Sequence, residues 1–287
     1  MSKIYKRFSR LVFSFNHASN SCGLEKHPYH LNYENGQYRE DELVKIIRGA
    51  LPHFALTPDE FQRMIRDEDL DEMYRLAFSR ISKAKKDKKG DYGELLLFLI
   101  LKSFYGADRL VTKVRLRSSV KDQIKGFDCA HFSIDEHNEI KLWLGEVKFY
   151  KSFSAAIKDV IDEIHEHVKT DYLKNEFSIL CPNIEYNKDI IIPDELIEYL
   201  DGSIPLDQIK IVIPALITYE SAEIKNHKEV TQEFSDAFKK QFEGKFAYIN
   251  KKSLTTPKNV EVFFILLPLS NVASIKEKLD NVEETYR

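Results

Sequence analysis

Cysteine is scarce in this chain. Cys22, Cys129 and Cys181 are odd in number, widely separated and without C-x-x-C spacing, so neither a disulfide framework nor a zinc site is indicated, and they read as reduced thiols. Long apolar runs are also missing. The basic start over residues 3–10 is followed only by Leu11-Val12-Phe13 before Ser14, too short for a signal-peptide core, and no later stretch approaches a membrane span. A cytoplasmic protein with no membrane partner is expected. Nor does charge of one sign dominate: 43 basic residues stand against 46 acidic ones, a formal net charge of −3. That balance excludes a protein that coats nucleic acid by bulk electrostatics, so any grip on a polyanion is local or supplied by a partner. No helix-turn-helix or zinc-finger signature is present to read a target sequence. What the chain does have is 43 % hydrophobic content over 287 residues, enough to bury a sizeable core in one large domain or two small ones.

The most telling stretch is Gly145-Glu146-Val147-Lys148-Phe149-Tyr150, preceded by Gly126-Phe127-Asp128. Two β-like segments, 127–134 and 140–150, flank Asp135-Glu136-His137-Asn138, whose turn-forming residues predict a hairpin. Alternation puts Leu142, Leu144, Glu146, Lys148 and Tyr150 on one face and Trp143, Gly145, Val147 and Phe149 on the other. An acid and an amine thus interrupt an apolar row, and Asp128, in line with Ala130 and Phe132, does the same on the first strand. Two carboxylates on adjacent strands suit Mg²⁺, with Mn²⁺ as a substitute, because hard cations prefer oxygen ligands; the ion then activates water and offsets charge on a phosphate. Lys148, two residues beyond Glu146 on the same face, is placed to orient that water or to meet the charged phosphate. The bare tripeptide recurs at Asp87-Lys88-Lys89, Glu139-Ile140-Lys141, Glu223-Ile224-Lys225 and Glu243-Gly244-Lys245, but none of these has an apolar strand around it. The plain alternative for Glu146 and Lys148 is a cross-strand ion pair on an exposed sheet face.

The order Asp128, then Glu146-x-Lys148, resembles the PD-(D/E)xK nuclease superfamily, with Phe127 where that pattern has proline. The resemblance implies a restriction-endonuclease-like core, an α/β fold with a mixed β-sheet flanked by helices, and Mg²⁺-dependent hydrolysis of DNA. It further implies that Asp128 and Glu146 hold the metal, that the main-chain carbonyl of Val147 completes the coordination, and that a core helix adds an acid. Glu94, in Asp91-Tyr92-Gly93-Glu94-Leu95-Leu96, matches that last position. Its helical neighbours Phe98, Leu101 and Tyr105 form an apolar stripe, although Asp91 and Glu94 equally suit a capping-box-like pair at a helix start. More narrowly, these runs resemble the nuclease-subunit family of the Hachiman anti-phage defence system, HamA, over about residues 85–287. That resemblance implies an effector working beside a superfamily 2 helicase subunit encoded nearby. A catalytically silent, nuclease-like DNA-binding or regulatory module is the alternative from another class.

The remaining segments fill in the plan. Lys113, Arg115 and Arg117 share one face of a strand-like segment over 110–117, and Lys121 and Lys125 lie in the loop leading to Asp128; these, with Lys151 after the active strand, are the candidate DNA contacts. Residues 1–85 read as a smaller, mainly helical region after a strand-like 4–15, with helices over 40–50, from Thr57-Pro58-Asp59-Glu60, and after 67–72. The lysine-rich run 83–90 reads as a solvated linker to a nuclease-like domain over 86–287. Ser152 or Ser154 caps a helix with an apolar stripe from Phe153 to Val168, on which His165 and His167 read as solvent-facing or satisfied rather than ligands. Further strands are predicted over 177–181, 209–219 and 260–269, and helices over 193–200 and 221–242.

Overall fold

Apolar runs without alternation, such as those over 211–219 and 262–267, suit strands covered on both faces, and the computed structural model places both inside a seven-stranded sheet. It describes residues 2–16, 24–81, 90–116, 126–186 and 190–286, without the side chains of Arg115, Leu116 and Thr285. The chain runs through α1 (Lys3–Leu11), β1 (Val12–Ser14), β2 (Glu25–Leu31), β3 (Tyr33–Glu34), β4 (Gln37–Tyr38), α2 (Glu40–Ala55), α3 (Pro58–Arg66) and α4 (Leu70–Ser79). It continues through α5 (Asp91–Phe104), β5 (Asp108–Thr112), α6 (Lys113–Leu116), β6 (Cys129–Ile134), β7 (Ile140–Phe149), α7 (Phe153–His167) and α8 (Thr170–Leu180). It ends with α9 (Asp194–Asp201), β8 (Lys210–Glu220), α10 (Ala222–Asn226), α11 (Gln232–Asn250), β9 (Val260–Leu269) and α12 (Val272–Thr285).

The sheet order is β1-β2-β9-β8-β7-β6-β5. β2, β9, β8 and β7 are mutually parallel, while β1 on one side and β6 and β5 on the other run antiparallel to their neighbours. This is the expected mixed sheet with helices on its faces. Trp143, Val147 and Phe149 of β7 join the core made with α1, α2, α4, α5 and α12, whereas Leu142 and Leu144 face α7, α8, α9 and α11. The period-two alternation of β7 therefore divides its side chains between two helical layers, as its sequence pattern predicts.

Several local expectations are corrected. The segment 4–15 is a helix followed by a three-residue strand, because Tyr5, Phe8 and Leu11 recur at helical spacing and are buried together. The strand expected over 110–117 stops at Thr112, and Lys113–Leu116 is a helical turn, so Lys113 and Arg115 do not lie on a strand face. The apolar run 177–181 ends α8 rather than forming a strand. The helix expected over 221–242 is two helices, α10 and α11. The mainly helical reading of the first 85 residues missed β2, which adds directly to β9. Cys22, the lysine run through Lys89, Arg117, Lys121 and Lys125 lie outside the described residues, as does the side chain of Arg115.

Two glycines bring α5 onto β7. A Cβ at Gly93 would lie 2.7 Å from Val147 Cγ1, and one at Gly145 would lie 2.5 Å from Leu97 Cδ2. Only the absence of side chains there lets the first turn of α5, with Glu94, sit against the strand that carries Glu146.

Candidate active site

The predicted hairpin is present: β6 and β7 pair antiparallel, Cys129 opposite Gly145 and Ile134 opposite Ile140. The ladder runs one residue past β6, where Asp128 N–H donates to the Gly145 carbonyl at 2.8 Å. Beyond that point, among the described residues, β7 has no backbone partner on this side. The Asp128 side chain takes over, and its Oδ2 accepts the Val147 N–H at 2.9 Å. Asp128 is thus fixed to the strand that carries Glu146 and Lys148, which is why an acid is found where an aliphatic residue would otherwise sit.

Helix α7 supplies a second row of functional groups. Ser152 caps it as predicted, accepting the Ala155 N–H at 3.4 Å. Asp159, Glu163 and His167, spaced by four, then meet Tyr150, Lys148 and Glu146, spaced by two, in antiparallel order. Tyr150 donates to Asp159 Oδ2 at 3.0 Å, Lys148 donates to Glu163 Oε2 at 2.5 Å, and His167 Nδ1 is hydrogen-bonded to Glu146 Oε1. The match is geometric: four helical residues rise about 6 Å and two strand residues about 6.6 Å, so the pairs stay in step. Glu163 is the neighbour that sequence reasoning missed, and His167, read as solvent-facing or satisfied, is satisfied by Glu146. The i, i+4, i+8 spacing of Asp159, Glu163 and His167 was the available signal, but it pointed to no partner until the sheet was in place. The exposed-face ion pair weighed for Glu146 and Lys148 is also corrected: both are buried, and each is bonded to α7 instead.

Lys113 enters from the other side. Its Nζ donates to Asp128 Oδ1 at 3.0 Å and to the Gly126 carbonyl at 3.2 Å, and its side chain is only 14 % exposed. Sequence placed this lysine among outward phosphate contacts; the structure points it inward. Burial alone would lower its pKa, but the carboxylates of Asp128, Glu94 and Glu146 all act on it and raise it above the ordinary lysine range. The amine is therefore a cation paired with Asp128 and within the field of Glu94 and Glu146.

Glu94 is buried in the first turn of α5. The capping-box alternative fails, since the N-cap is Gly90 and no side chain caps the helix. Burial raises the pKa of Glu146 well above the carboxylate range, and the Asp128 and Glu163 carboxylates add to the effect against Lys148 and Lys113. His167 is shifted the other way by burial, so Glu146 and His167 are pressed toward a neutral hydrogen-bonded pair. For Lys148 the hydrogen bond and charge of Glu163 outweigh burial and raise its pKa, holding it protonated.

The position of Phe127, where the superfamily pattern has proline, has a local use. Its N–H, a donor proline lacks, acts on the buried Glu176 carboxylate of α8 and works against the rise in pKa that burial causes there. Gly126 beside it has φ +138°, and a Cβ there would fall 2.5 Å from Glu176 Oε2. Burial pushes Glu176 up to about 7.

Three hard carboxylates, at least one destabilised by its neighbours, fit a divalent cation by charge and donor type. Among the described residues no group of three or more acidic, histidine or cysteine side chains is arranged to hold one; Lys113 and His167 are bonded to the oxygens of Asp128 and Glu146. Lys151 is exposed beyond β7, beside a cavity of about 480 Å³ lined by Phe149, Tyr150, Val272 and Lys276. A larger cavity of about 840 Å³ lies along α8 between Leu173, Phe177, Tyr199 and Leu206, and none of the site's carboxylates lines it.

The family model described as HamA matches residues 6–282. No curated protein matches the chain. Among the described residues no helix is long and apolar enough to cross a membrane.

Proposed function

The chain belongs to the HamA family, a component of Hachiman anti-phage defence, and on that premise we propose that it is a metal-dependent nuclease that hydrolyses DNA phosphodiester bonds beside a helicase subunit of superfamily 2. The observation that carries this is that Asp128 is hydrogen-bonded to the strand of the Glu146-x-Lys148 motif at Val147, that Glu94, Glu146 and Lys148 are buried, and that Lys113 lies in the field of all three acids. A fold needs no such grouping, since burying charges costs several kcal/mol per ion unless a function or a partner offsets it.

Asp128, Glu146 and Glu94 would hold Mg²⁺ or Mn²⁺, with the Val147 carbonyl as a further oxygen. When bound, the ion supplies Lewis acidity to the phosphate and a water acidic enough to attack it. The chain does the positioning. Val147 N–H fixes the Asp128 carboxylate, and His167 fixes that of Glu146. Glu163 holds Lys148 protonated at the mouth of the cluster, where its ammonium can face the negative charge growing on the phosphate. The formal charge of −3 supports delivery of DNA by the helicase partner rather than capture by this chain alone.

The test is incubation of the purified chain, with and without the helicase encoded beside it, with plasmid, linear and single-stranded DNA in Mg²⁺, Mn²⁺ or EDTA. Cleavage that needs metal and disappears in Glu146→Gln is expected. Metal-independent cleavage would reject the metal-dependent mechanism, and no cleavage under any combination would reject the nuclease and leave the silent DNA-binding or regulatory module.

A further inference from the structure

The parallel strands send the chain to opposite sides of the sheet. From β7 and β8 it turns to the layer of α7 and α11, and from β9 it turns to α12 in the other layer. Where connections part in this way a crevice opens beyond the strand ends, and here it is the cavity of about 480 Å³ between the end of β7 and α12. One residue at the end of β8 fixes both of its walls: Glu220 donates its N–H to the Lys151 carbonyl at 3.0 Å and accepts the Val272 N–H at 3.2 Å. The buried Phe149 and the 36 % exposed Tyr150 line the cavity, and Lys276 Nζ stands 5.3 Å from the centroid of the Phe149 ring. Lys151, Glu277 and Asp280 complete the charged groups. Phe149-Tyr150-Lys151 directly continues the Glu146-x-Lys148 motif, and three residues of strand span about 10 Å. A DNA strand with one phosphate at the motif therefore carries its next nucleotides past this opening.

We propose that this cavity takes one unpaired base of the DNA strand, its ring against Phe149 and Tyr150 and its phosphate on the ammonium groups of Lys151 and Lys276. The proposal rests on the nuclease reading above for its ligand, and on no metal. The lining selects the class of ligand. A bare phosphate is drawn by the two lysines but opposed by the carboxylates of Glu277 and Asp280, so affinity has to come from a flat ring as well, which aromatic side chains hold whichever base it is. The volume falls within the range of about 300–1,000 Å³ typical of small-molecule sites, room for a nucleotide and not for a duplex. A base enters such a pocket only when it is out of the stack, and a helicase partner yields strands in that state. The cavity thereby reads strand state: unpaired DNA is held beside the motif, and a closed duplex is not.

The test is fluorescence anisotropy, in EDTA, of a short labelled single strand and of the matching blunt duplex, with the full chain and with Ala273→Trp, whose indole fills the cavity from the exposed face of α12. The wild-type chain is expected to bind the single strand about tenfold more tightly than the duplex, and the variant to lose that preference. A variant that keeps the preference overturns the pocket, and so does a wild type without one. Should Ala273→Trp not fold, photocrosslinking of the wild-type chain decides: with the helicase present, iododeoxyuridine in the single strand is expected to crosslink to residues 149–151, and crosslinks confined to other segments overturn the pocket. A chain that shows the preference but cuts no DNA in Mg²⁺ or Mn²⁺ keeps the pocket and overturns the nuclease. Metal-dependent cleavage without the preference does the reverse.

Discussion

Lys148 Nζ lies 2.5 Å from Glu163 Oε2, so the lysine of the β7 motif is held by the helix that follows it rather than by the acids on its own sheet. One helix thereby sets both the position and the protonation of a residue on the strand.

Loss of Glu163 should lower the pKa of Lys148, because burial then acts without the opposing hydrogen bond and charge. A group raised by its partner keeps its proton up to the raised value; with the partner gone, deprotonation begins at lower pH. In Glu163→Ala, cleavage is expected to fall off at a lower pH on the alkaline side than in the wild type. A pH–rate profile measures this, and an unmoved alkaline limb would show that Lys148 does not act as a cation.

Glu146→Gln should separate stability from activity. Glu146 is buried and its ionised form is opposed by Asp128 and Glu163. The amide removes that repulsion and can still accept from His167. The variant is expected to melt higher than the wild type in EDTA at pH 8 and to lose activity by at least about a hundredfold. A lower melting temperature would contradict the repulsion.

The buried Glu176 predicts a pH-dependent stability. Its folded pKa is about 7 against an ordinary 4.5, so the native state keeps a proton that the unfolded chain has lost between those values. Stability from this group is complete below about pH 4.5, declines as pH rises to about 7, and is flat above; the difference is about 3 kcal/mol. Glu176→Gln should abolish that slope and be the more stable protein at pH 8, as read from denaturant melts across the window. Parallel melts of both proteins would refute the assignment.

Gly145→Ala tests the approach of α5 to β7. The new Cβ would meet Leu97 Cδ2 at 2.5 Å and Cys129 Sγ at 2.6 Å, so those side chains, or the helix that carries Leu97, must shift. A loss of about 1–3 kcal/mol is expected, with a larger loss of activity than stability explains, since any shift of α5 carries Glu94 with it. Unchanged activity in a folded Gly145→Ala would mean that Glu94 is not needed.

Much of this was legible in the sequence because it is local. The β6–β7 hairpin is marked by turn residues between two apolar strands, α5 and α7 by their helical stripes, and β8 and β9 by unbroken apolar runs. Short apolar runs misled: 177–181 reads as a strand or a helix end with equal ease, and only its packing in α8 decides. Lys113 was misplaced because alternation was extended past Thr112 into a helical turn.

The sequence by itself determined the chemistry on offer: which strands carry Asp128, Glu146 and Lys148, and which way those side chains face, because a period of two is a property of adjacent residues. Tertiary structure alone decided the partners: Glu163 on Lys148, His167 on Glu146, Lys113 on Asp128 and Glu176 beneath Phe127. Those contacts join separate elements, and they depend on how closely helices dock on the sheet, a distance set by packing at positions such as Gly93 and Gly145 that no local pattern encodes.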